Sequence, residues 1–206
     1  IRGIFFYMYE KYPDYKYVWL LNHEPEDVLK KVSFVRCNTI EWLKTIMTSH
    51  VIITNCGFSA YIPYRKKQTL IETWHGGGAY KKVDSFAYLN KKDAIIRSKK
   101  LSYVSNYLSY YVSSSKKFSE VMSISHKTAL DKFLNIGMPR NDVFFNELLV
   151  KENRKKVCQK YSIKADDLIV VYAPTYRGTP STATFDNSLD TSAIKQQITK
   201  TCGKDV

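Results

Sequence analysis

The sequence predicts an α/β fold built around a parallel β-sheet, and two observations carry that prediction. Short runs of apolar and β-branched residues, typical of buried strands, alternate with segments whose apolar residues recur at helical spacing. Strand-to-helix spacings of roughly 15–25 residues leave room for the crossover helix that a parallel strand pair requires. Hydrophobic residues make up 44% of the 206-residue chain and charged residues 25%, a composition that excludes a disordered chain.

Six segments are predicted as strands. A turn at Pro13-Asp14 introduces the first, and Asn55-Cys56-Gly57 closes the third. The fourth runs directly into Trp74-His75-Gly76-Gly77-Gly78. The six segments are residues 17–21, 33–36, 51–54, 69–73, 110–113 and 168–172.

Helices are predicted from capping residues and apolar stripes. Ser114 or Ser115 is expected to cap a helix after the fifth strand, and Asn141 or Asp142 a long polar helix over residues 143–161. Residues 94–108 predict either an amphipathic helix on a membrane surface or one that packs on a neighbouring half of the protein. Thr39 is expected to cap a helix whose apolar stripe is Ile40, Leu43, Ile46 and Met47.

The chain carries a large positive charge, with 32 basic against 19 acidic residues and a net charge of +13. Such a surplus predicts an anionic partner: nucleic acid, a phosphorylated metabolite or an acidic membrane face. Cations are densest in residues 81–100 and 151–160, where a solvated helix face is the alternative interpretation. Nucleic acid is not expected, because the tyrosines fall mostly where strands or helices would bury them. No apolar run approaches the ~20 residues of a membrane span.

The four cysteines indicate neither a zinc site nor a disulfide framework. No C-x-x-C pair occurs among Cys37, Cys56, Cys158 and Cys202, and the four histidines do not cluster with them. A zinc site needs ligand pairs at short range, so none is predicted. Reduced cysteines in a cytoplasmic protein are expected instead.

The first motif that could carry chemistry follows the fourth strand and spans residues 73–82. A histidine at the carboxyl end of a parallel strand lies where ligands gather, and the glycines after it let main-chain N–H groups approach an anion closely. An imidazole is suited to removing a proton from a hydroxyl near neutral pH. The motif is neither G-x-G-x-x-G nor a Walker A loop, and a glycine-rich turn with a solvated His75 is the alternative.

Two further motifs lie later in the chain. In residues 137–142, Gly137 and Pro139 fix a turn from which Arg140 would project like a phosphate-binding guanidinium. In residues 172–177, Thr175 and Arg177 place a hydroxyl and a cation directly after an apolar strand. A simple capped turn and an ordinary strand exit, each with a surface arginine, are the alternatives.

Taken together, the three motifs resemble those of the CDP-glycerol glycerophosphotransferase (teichoic acid polymerase) family. Members carry Thr-Trp-His-Gly with paired lysines beyond it, then Gly-x-Pro-Arg-Asn-Asp, then Tyr-Ala-Pro-Thr-x-Arg. All three occur here in that order, with 62 residues from His75 to Gly137 and 35 from Gly137 to Tyr172. The resemblance covers nearly the whole chain.

The resemblance implies a GT-B-like architecture, in which two Rossmann-like halves face a cleft. Residues 1–160 would form most of the acceptor-side half without its first strand, and residues 161–206 the truncated beginning of the nucleotide-binding half. It implies transfer of glycerol phosphate, or ribitol phosphate in close relatives, from a CDP-alditol to a lipid-linked teichoic acid or capsule-type acceptor, with release of CMP. The enzyme would work at the cytoplasmic face of the membrane, without a cofactor or metal.

The resemblance also implies roles for individual residues. His75 is the expected general base on the acceptor hydroxyl, and Arg140 and Arg177 would face the donor pyrophosphate. The remaining expected substrate-binding residues are Gly76, Gly77, Gly78, Lys81, Lys82, Asn141, Asp142 and Thr175.

Departures from the family pattern leave alternatives open. Members more often read His-Gly-Thr where this chain has His75-Gly76-Gly77, which leaves the acceptor and the alditol undecided. The family's second histidine and its Asp-Tyr-Ser-Ser-like motif are not found, so the 206-residue chain alone is expected to be inactive. The alternatives are a catalytically incomplete relative that binds polymer or membrane, and a nucleotide-sugar transferase of the same shape.

Overall fold

The computed structural model describes residues 1–23, 32–76, 82–87, 90–164, 167–173, 182, 184 and 188–203. The chain divides into two compact units, Ile1–Asp142 and Val143–Val206. All strands described below belong to the first unit.

The first unit contains two parallel sheets. One pairs β1 (Val18–Leu21) with β2 (Ser33–Arg36), and the other has the order β3-β4-β5-β6. Every neighbouring pair is parallel, with Thr54 opposite Glu72 and Ser113 opposite Asn135 at the carboxyl ends. The predicted α/β fold with a parallel sheet is therefore confirmed. The strands of the second sheet are β3 (Val51–Thr54), β4 (Thr69–Glu72), β5 (Leu108–Ser113) and β6 (Phe133–Asn135).

Helices separate some of these strands along the chain. In the first unit, α1 precedes β1, α2 precedes β3, α3 precedes β5 and α4 precedes β6. Short 3₁₀ helices occur at Asp84–Phe86, Leu130–Lys132 and Pro139–Phe145. The helices are α1 (Arg2–Lys11), α2 (Ile40–Thr48), α3 (Lys91–Tyr107), α4 (Lys116–His126), α5 (Glu147–Tyr161) and α6 (Thr191–Cys202).

Side-chain caps set the starts of several helices. The Trp42 N–H donates to Thr39 Oγ1 at 3.1 Å, and the Phe118 N–H donates to Ser115 Oγ at 3.2 Å, as the sequence predicts. Neither Asn141 nor Asp142 caps the polar helix, so that prediction is wrong. Both lie inside the 3₁₀ helix, and α5 begins only after Asn146, whose Oδ1 accepts from the Leu149 N–H at 3.0 Å.

The predicted stripe of α2 is only partly buried. Ile46 lies in the core, whereas Ile40 is 76% exposed and Leu43 and Met47 are each more than a third exposed. Helix α3 has a similar division along its length. Leu101 is buried and Tyr103 and Tyr107 pack on the core, while Ile95 and Ile96 near its start are exposed.

The segment 168–172, predicted as a sixth strand, lies in no sheet. A strand is stabilised by hydrogen bonds to a neighbour, and the described residues of the second unit form two helices rather than a sheet. Four of its five side chains are exposed, Val171 and Tyr172 among them. This prediction is wrong for the described structure.

Two strand edges face an open cavity of about 1740 Å³. All residues of β1 and β3 line it, together with residues of α1 and α2. Among the described residues β1 pairs only with β2, and β3 only with β4. Phe5 of α1 packs against Trp19 of β1, with ring centroids 5.2 Å apart.

The core is formed on β4, β5 and α4, in which Leu70, Tyr111 and Met122 respectively are fully buried. All four cysteines are free thiols. Within the described part of the chain, no helix is both long and apolar enough to cross a bilayer.

Candidate active site

The candidate site lies at the carboxyl ends of the second sheet's strands. Asn55 follows β3 directly, His75 comes three residues after β4, and Arg140 comes five residues after β6. Because these strands are parallel, their carboxyl ends lie at the same edge of the sheet. The sequence-predicted His75 and Arg140 are thereby brought together from positions 65 residues apart.

The ring of His75 is held by the backbone of the neighbouring strand end. His75 Nδ1 lies 2.9 Å from the carbonyl oxygen of Asn55. A carbonyl oxygen can only accept a hydrogen bond, so the neutral ring carries its proton on Nδ1. Nε2 then keeps its lone pair, which is the state that a general base requires.

Arg140 reaches the same histidine through the main chain. Its Nη1 donates to the His75 carbonyl oxygen at 2.8 Å. The turn before it is fixed by Gly137, whose φ of +82° favours glycine and whose N–H donates to the Ser113 carbonyl at 3.0 Å. Met138 is buried, so the loop is anchored while Arg140 itself stays exposed.

Glu72 supports the turn from β4 into the motif. It is 3% exposed, and its Oε1 accepts a hydrogen bond from the Trp74 N–H at 2.8 Å. Burial, which penalises the charged form, raises the pKa of Glu72 to about 7 despite that hydrogen bond. The Trp74 ring stacks on the His75 ring with centroids 4.1 Å apart.

Behind Trp74 lies a cluster of Asp84, Arg97 and His126, in which the Asp84 and His126 side chains are 7% and 11% exposed and that of Arg97 is 38% exposed. Asp84 Oδ2 is 2.6 Å from His126 Nε2, and Asp84 Oδ1 accepts from Arg97 Nε at 2.9 Å. Burial alone would raise the pKa of Asp84, but the hydrogen bonds and positive charges of His126 and Arg97 outweigh it. The pKa of Asp84 therefore lies below its ordinary value.

The other predicted site residues are placed as follows. Gly76 is half-buried beside His75, and Lys82 is exposed. Asn141 and Asp142 are exposed on the 3₁₀ helix, where the Asn141 N–H donates to the Met138 carbonyl at 2.8 Å. Predictions for five residues fall outside the described part of the chain, namely Gly77, Gly78, Lys81, Thr175 and Arg177.

Several residues of the site are missing from the sequence-based predictions. Asn55 acts through its main-chain carbonyl, which every residue has, so its residue type gives no signal. Its position directly after a predicted strand is the one feature of the sequence that indicates it. Asp84 and His126 are 42 positions apart and meet only in the fold, and the burial of Glu72 likewise depends on tertiary packing. Among the described residues, no group of three or more His, Cys, Asp or Glu side chains could hold a metal ion.

Comparison with known proteins assigns the chain to a family. The sequence model of CDP-Glycerol:Poly(glycerophosphate) glycerophosphotransferase matches residues 1–202. The chain belongs to this family. The resemblance carried by the three motifs is confirmed.

Curated relatives in this glycerophosphotransferase family include teichoic acid polymerases. The chain is 26% identical to the teichoic acid poly(glycerol phosphate) polymerase of Bacillus spizizenii, over 96% of the chain and 52% of that protein. It is 24% identical to the polymerase of the same name from Bacillus subtilis, over 96% of the chain and 27% of that protein. It is also 29% identical to the teichoic acid ribitol-phosphate polymerase TarL of Staphylococcus aureus, over 57% of the chain and 20% of that protein. The chain thus spans about half the length, or less, of these relatives.

Solved structures give the same fold. The wall teichoic acid polymerase TagF matches with a TM-score of 0.75 and 21% identity, over 97% of this chain and 50% of TagF. A variant of TagF soaked with CDPG matches with a TM-score of 0.71 and 21% identity, over 99% of this chain and 50% of that one. The glycerophosphotransferase-family chain therefore has the fold of one half of a GT-B-like transferase.

Proposed function

We propose that this chain contributes the acceptor-side half of an enzyme that transfers glycerol phosphate from CDP-glycerol to a lipid-linked teichoic acid or capsule-type acceptor. The observation that carries the proposal is the His75 ring, whose Nδ1 faces the Asn55 carbonyl and whose Nε2 is left as a base. Family membership supports the donor class. Residues 161–206 would begin the nucleotide-side half, and transfer is expected to need both halves.

In this mechanism His75 Nε2 removes the proton from the acceptor hydroxyl. The oxygen attacks the phosphorus that bears the glycerol, and the bond from that phosphorus to the bridging oxygen of CMP breaks. CMP leaves with the electron pair, and the new phosphodiester joins glycerol phosphate to the acceptor. Such a transfer needs an activated hydroxyl, in-line placement and stabilisation of charge on the phosphate oxygens.

The cations of the site would stabilise that charge. Arg140 is exposed beside His75 and presents a planar guanidinium with several donors, and Lys82 lies on the same motif. We include Lys81, Thr175 and Arg177 in the proposed donor site on their motif positions alone. The glycines that follow His75 would let the main chain approach an anion.

The proposed function is tested by supplying the full-length protein with CDP-glycerol and a lipid-linked acceptor. The expected result is CMP release matched by one glycerol phosphate added to the acceptor for each CMP. CDP-ribitol in place of CDP-glycerol tests the alternative donor, which the similarity to a ribitol-phosphate polymerase favours. Polymer or membrane binding with no CMP release from either donor would support the catalytically incomplete relative and contradict the transferase.

The proposal also locates the enzyme at the anionic cytoplasmic face of the membrane. Support comes from the start of α3, where Ile95 and Ile96 are 49% and 43% exposed. Lys99 lies four residues after Ile95 and Lys92 four before Ile96, so each pair shares a helix face. Apolar side chains among cations suit an anionic lipid surface.

Vesicle binding tests this location. Full-length protein should bind phosphatidylglycerol-containing vesicles, with weaker binding as salt rises because salt screens the lysines. The double substitution Ile95→Ser, Ile96→Ser should reduce binding, whereas Val157→Ser on α5, at a side chain 42% exposed, should not. Binding that is unchanged by salt, or lost equally in the control, would contradict the docking surface.

A further inference from the structure

The segment that carries His75 has an unusual backbone conformation at both ends. Trp74, directly before His75, has φ +54°, and Asp84, two residues after the 73–82 motif, has φ +49°. Neither residue is glycine, and the left-handed region is unfavourable for a residue with a Cβ atom. Such conformations persist where the surrounding contacts hold them in place.

At the first end, Trp74 is held by a carboxylate and by two histidine rings. Its main-chain N–H donates to Glu72 Oε1 at 2.8 Å. Its indole stacks on His75, with ring centroids 4.1 Å apart and an angle of 30° between the planes. It also meets His126 edge-to-face, with centroids 4.9 Å apart and an angle of 88°. One indole therefore touches both the proposed base and a second, buried imidazole.

At the other end, Asp84 is held by that same imidazole. The side chains of Asp84 and His126 are only 7% and 11% exposed, and Asp84 Oδ2 lies 2.6 Å from His126 Nε2. Arg97 of α3 binds the other carboxylate oxygen of Asp84, Oδ1. His126 Nδ1 is 3.0 Å from Ser125 Oγ, so both nitrogens of the ring lie beside polar groups, which restricts rotation of the ring.

We propose that Asp84 and His126 are positioning residues for His75, an inference that rests on the proposed function of His75. Asp84 fixes the His126 ring, the His126 ring restricts the Trp74 indole, and the indole sets the plane of the His75 ring. The Asn55 carbonyl oxygen also constrains the His75 ring, because it accepts the hydrogen bond from His75 Nδ1. Neither Asp84 nor His126 needs to touch the substrate to act in this way.

Enzyme kinetics on the full-length protein test the proposal. Asp84→Asn and His126→Phe should lower kcat by up to about a hundredfold, because a misplaced base is an ineffective one. The KM for CDP-glycerol should stay unchanged, since no donor contact is removed. The control is Glu120→Gln, which removes the exposed pair with Lys117 on the same helix as His126 and should leave both constants unchanged.

A spectroscopic signature separates positioning from general destabilisation. The Cε1–H resonance of His75, assigned by its loss in His75→Ala, should carry a ring-current shift from the stacked indole. Trp74→Leu should abolish that shift, and Asp84→Asn and His126→Phe should each reduce it while Glu120→Gln retains it. An unchanged shift together with unchanged kcat in both test variants would overturn the proposal.

Two further comparisons keep the test decisive. If Asp84→Asn does not fold, His126→Gln decides, because it keeps a polar group for Asp84 but removes the ring that meets Trp74. A loss of kcat supports the proposal, and full kcat overturns it. If His75→Ala is inactive while the Asp84 and His126 variants are normal, only the positioning role fails; activity in His75→Ala would instead refute the role of His75.

Discussion

At the residue scale, the candidate site depends on the carboxylate of Glu72, which the fold buries away from water. The end of β4 directs it into the core, where it accepts the Trp74 N–H. Its second oxygen, Oε2, is buried, and hydrogen bonding from the main chains of Trp74 and Gly57 does not offset the cost of that burial. A charged carboxylate in such surroundings is destabilised relative to one in water, so the group retains its proton to higher pH.

This environment predicts a pH-dependent contribution to stability. The ordinary pKa of 4.5 is raised to about 7, so between these values the folded protein holds more protons than the unfolded chain. The contribution of Glu72 is therefore fully present below about pH 4.5 and is lost as the pH rises through about 7. Urea unfolding of Glu72→Gln should show a smaller loss of unfolding free energy between pH 5 and pH 8 than the parent protein.

The matched control is Glu10→Gln, at an exposed carboxylate on α1. It should leave the pH dependence of the unfolding free energy unchanged. A Glu72→Gln variant with the same dependence as the parent would show that Glu72 is ionised in the folded protein across this range, against the burial argument.

Prediction of site residues from sequence is possible where the side chain itself signals chemistry. A histidine before a run of glycines and an arginine after a Gly-x-Pro turn are visible in one dimension, and the fold brings His75 and Arg140 together. The carbonyl of Asn55 is invisible because every residue has one. Asp84 and His126 lie 42 positions apart, so their pairing depends wholly on tertiary structure.

At the element scale, helix starts are fixed by single side chains, and α5 is the instructive case. Its cap is Asn146, because the 3₁₀ helix at Pro139–Phe145 occupies the chain up to that point. The sequence pattern predicts Asn141 or Asp142 as the cap of this helix. Only the 3₁₀ hydrogen bonds, such as Asn141 N–H to the Met138 carbonyl, decide between these two residues and Asn146.

The cap predicts different effects for two similar substitutions. Asn146→Ala should destabilise the start of α5 by about 1 kcal/mol, because the Leu149 N–H loses its acceptor. Asn141→Ala should have a negligible effect there. Amide hydrogen exchange at Leu149 measures the difference, with faster exchange expected in Asn146→Ala only. Equal exchange in both variants would contradict the assignment of the cap.

Strands could be predicted from sequence where the apolar run had at least four residues and a neighbouring strand was present to pair with it. Val51–Thr54 and Thr69–Glu72 are β-rich runs that form neighbouring strands, β3 at the edge of the sheet and β4 inside it. Phe133–Asn135 has three residues, too few for a periodic signal. Helix α1 was not predicted from sequence, because residues Phe5 to Tyr9 form an unbroken apolar and aromatic run with no helical period.

At the scale of the whole molecule, the open edges of β1 and β3 are the dominant feature of the first unit. Among the described residues each of these strands is paired on one side only, and its residues line the cavity. Open, apolar strand edges are templates for pairing with another chain. The fold class could be predicted from sequence. The break between the two sheets could not, because the order of strands along the chain does not determine which strands pair in space.

The open edge predicts self-association of the 206-residue chain at high concentration. Val51→Lys should favour the monomer, because a lysine on an edge strand opposes pairing. Val121→Lys, at an exposed position on α4 away from the cavity, should not. Size-exclusion chromatography with light scattering measures the mass of each variant. A parent chain that stays monomeric, or equal behaviour of the two variants, would contradict this interpretation.

The central claim is that the sheet edge at β3, β4 and β6 activates an acceptor hydroxyl through His75. Its most direct test is the rate of CMP release from CDP-glycerol by full-length His75→Ala in the presence of a lipid-linked acceptor, with His23→Ala at an exposed histidine as control. Loss of a general base predicts a fall in kcat of about 10²–10⁴-fold with CDP-glycerol binding retained. A His75→Ala variant that releases CMP at the parent rate would contradict the account.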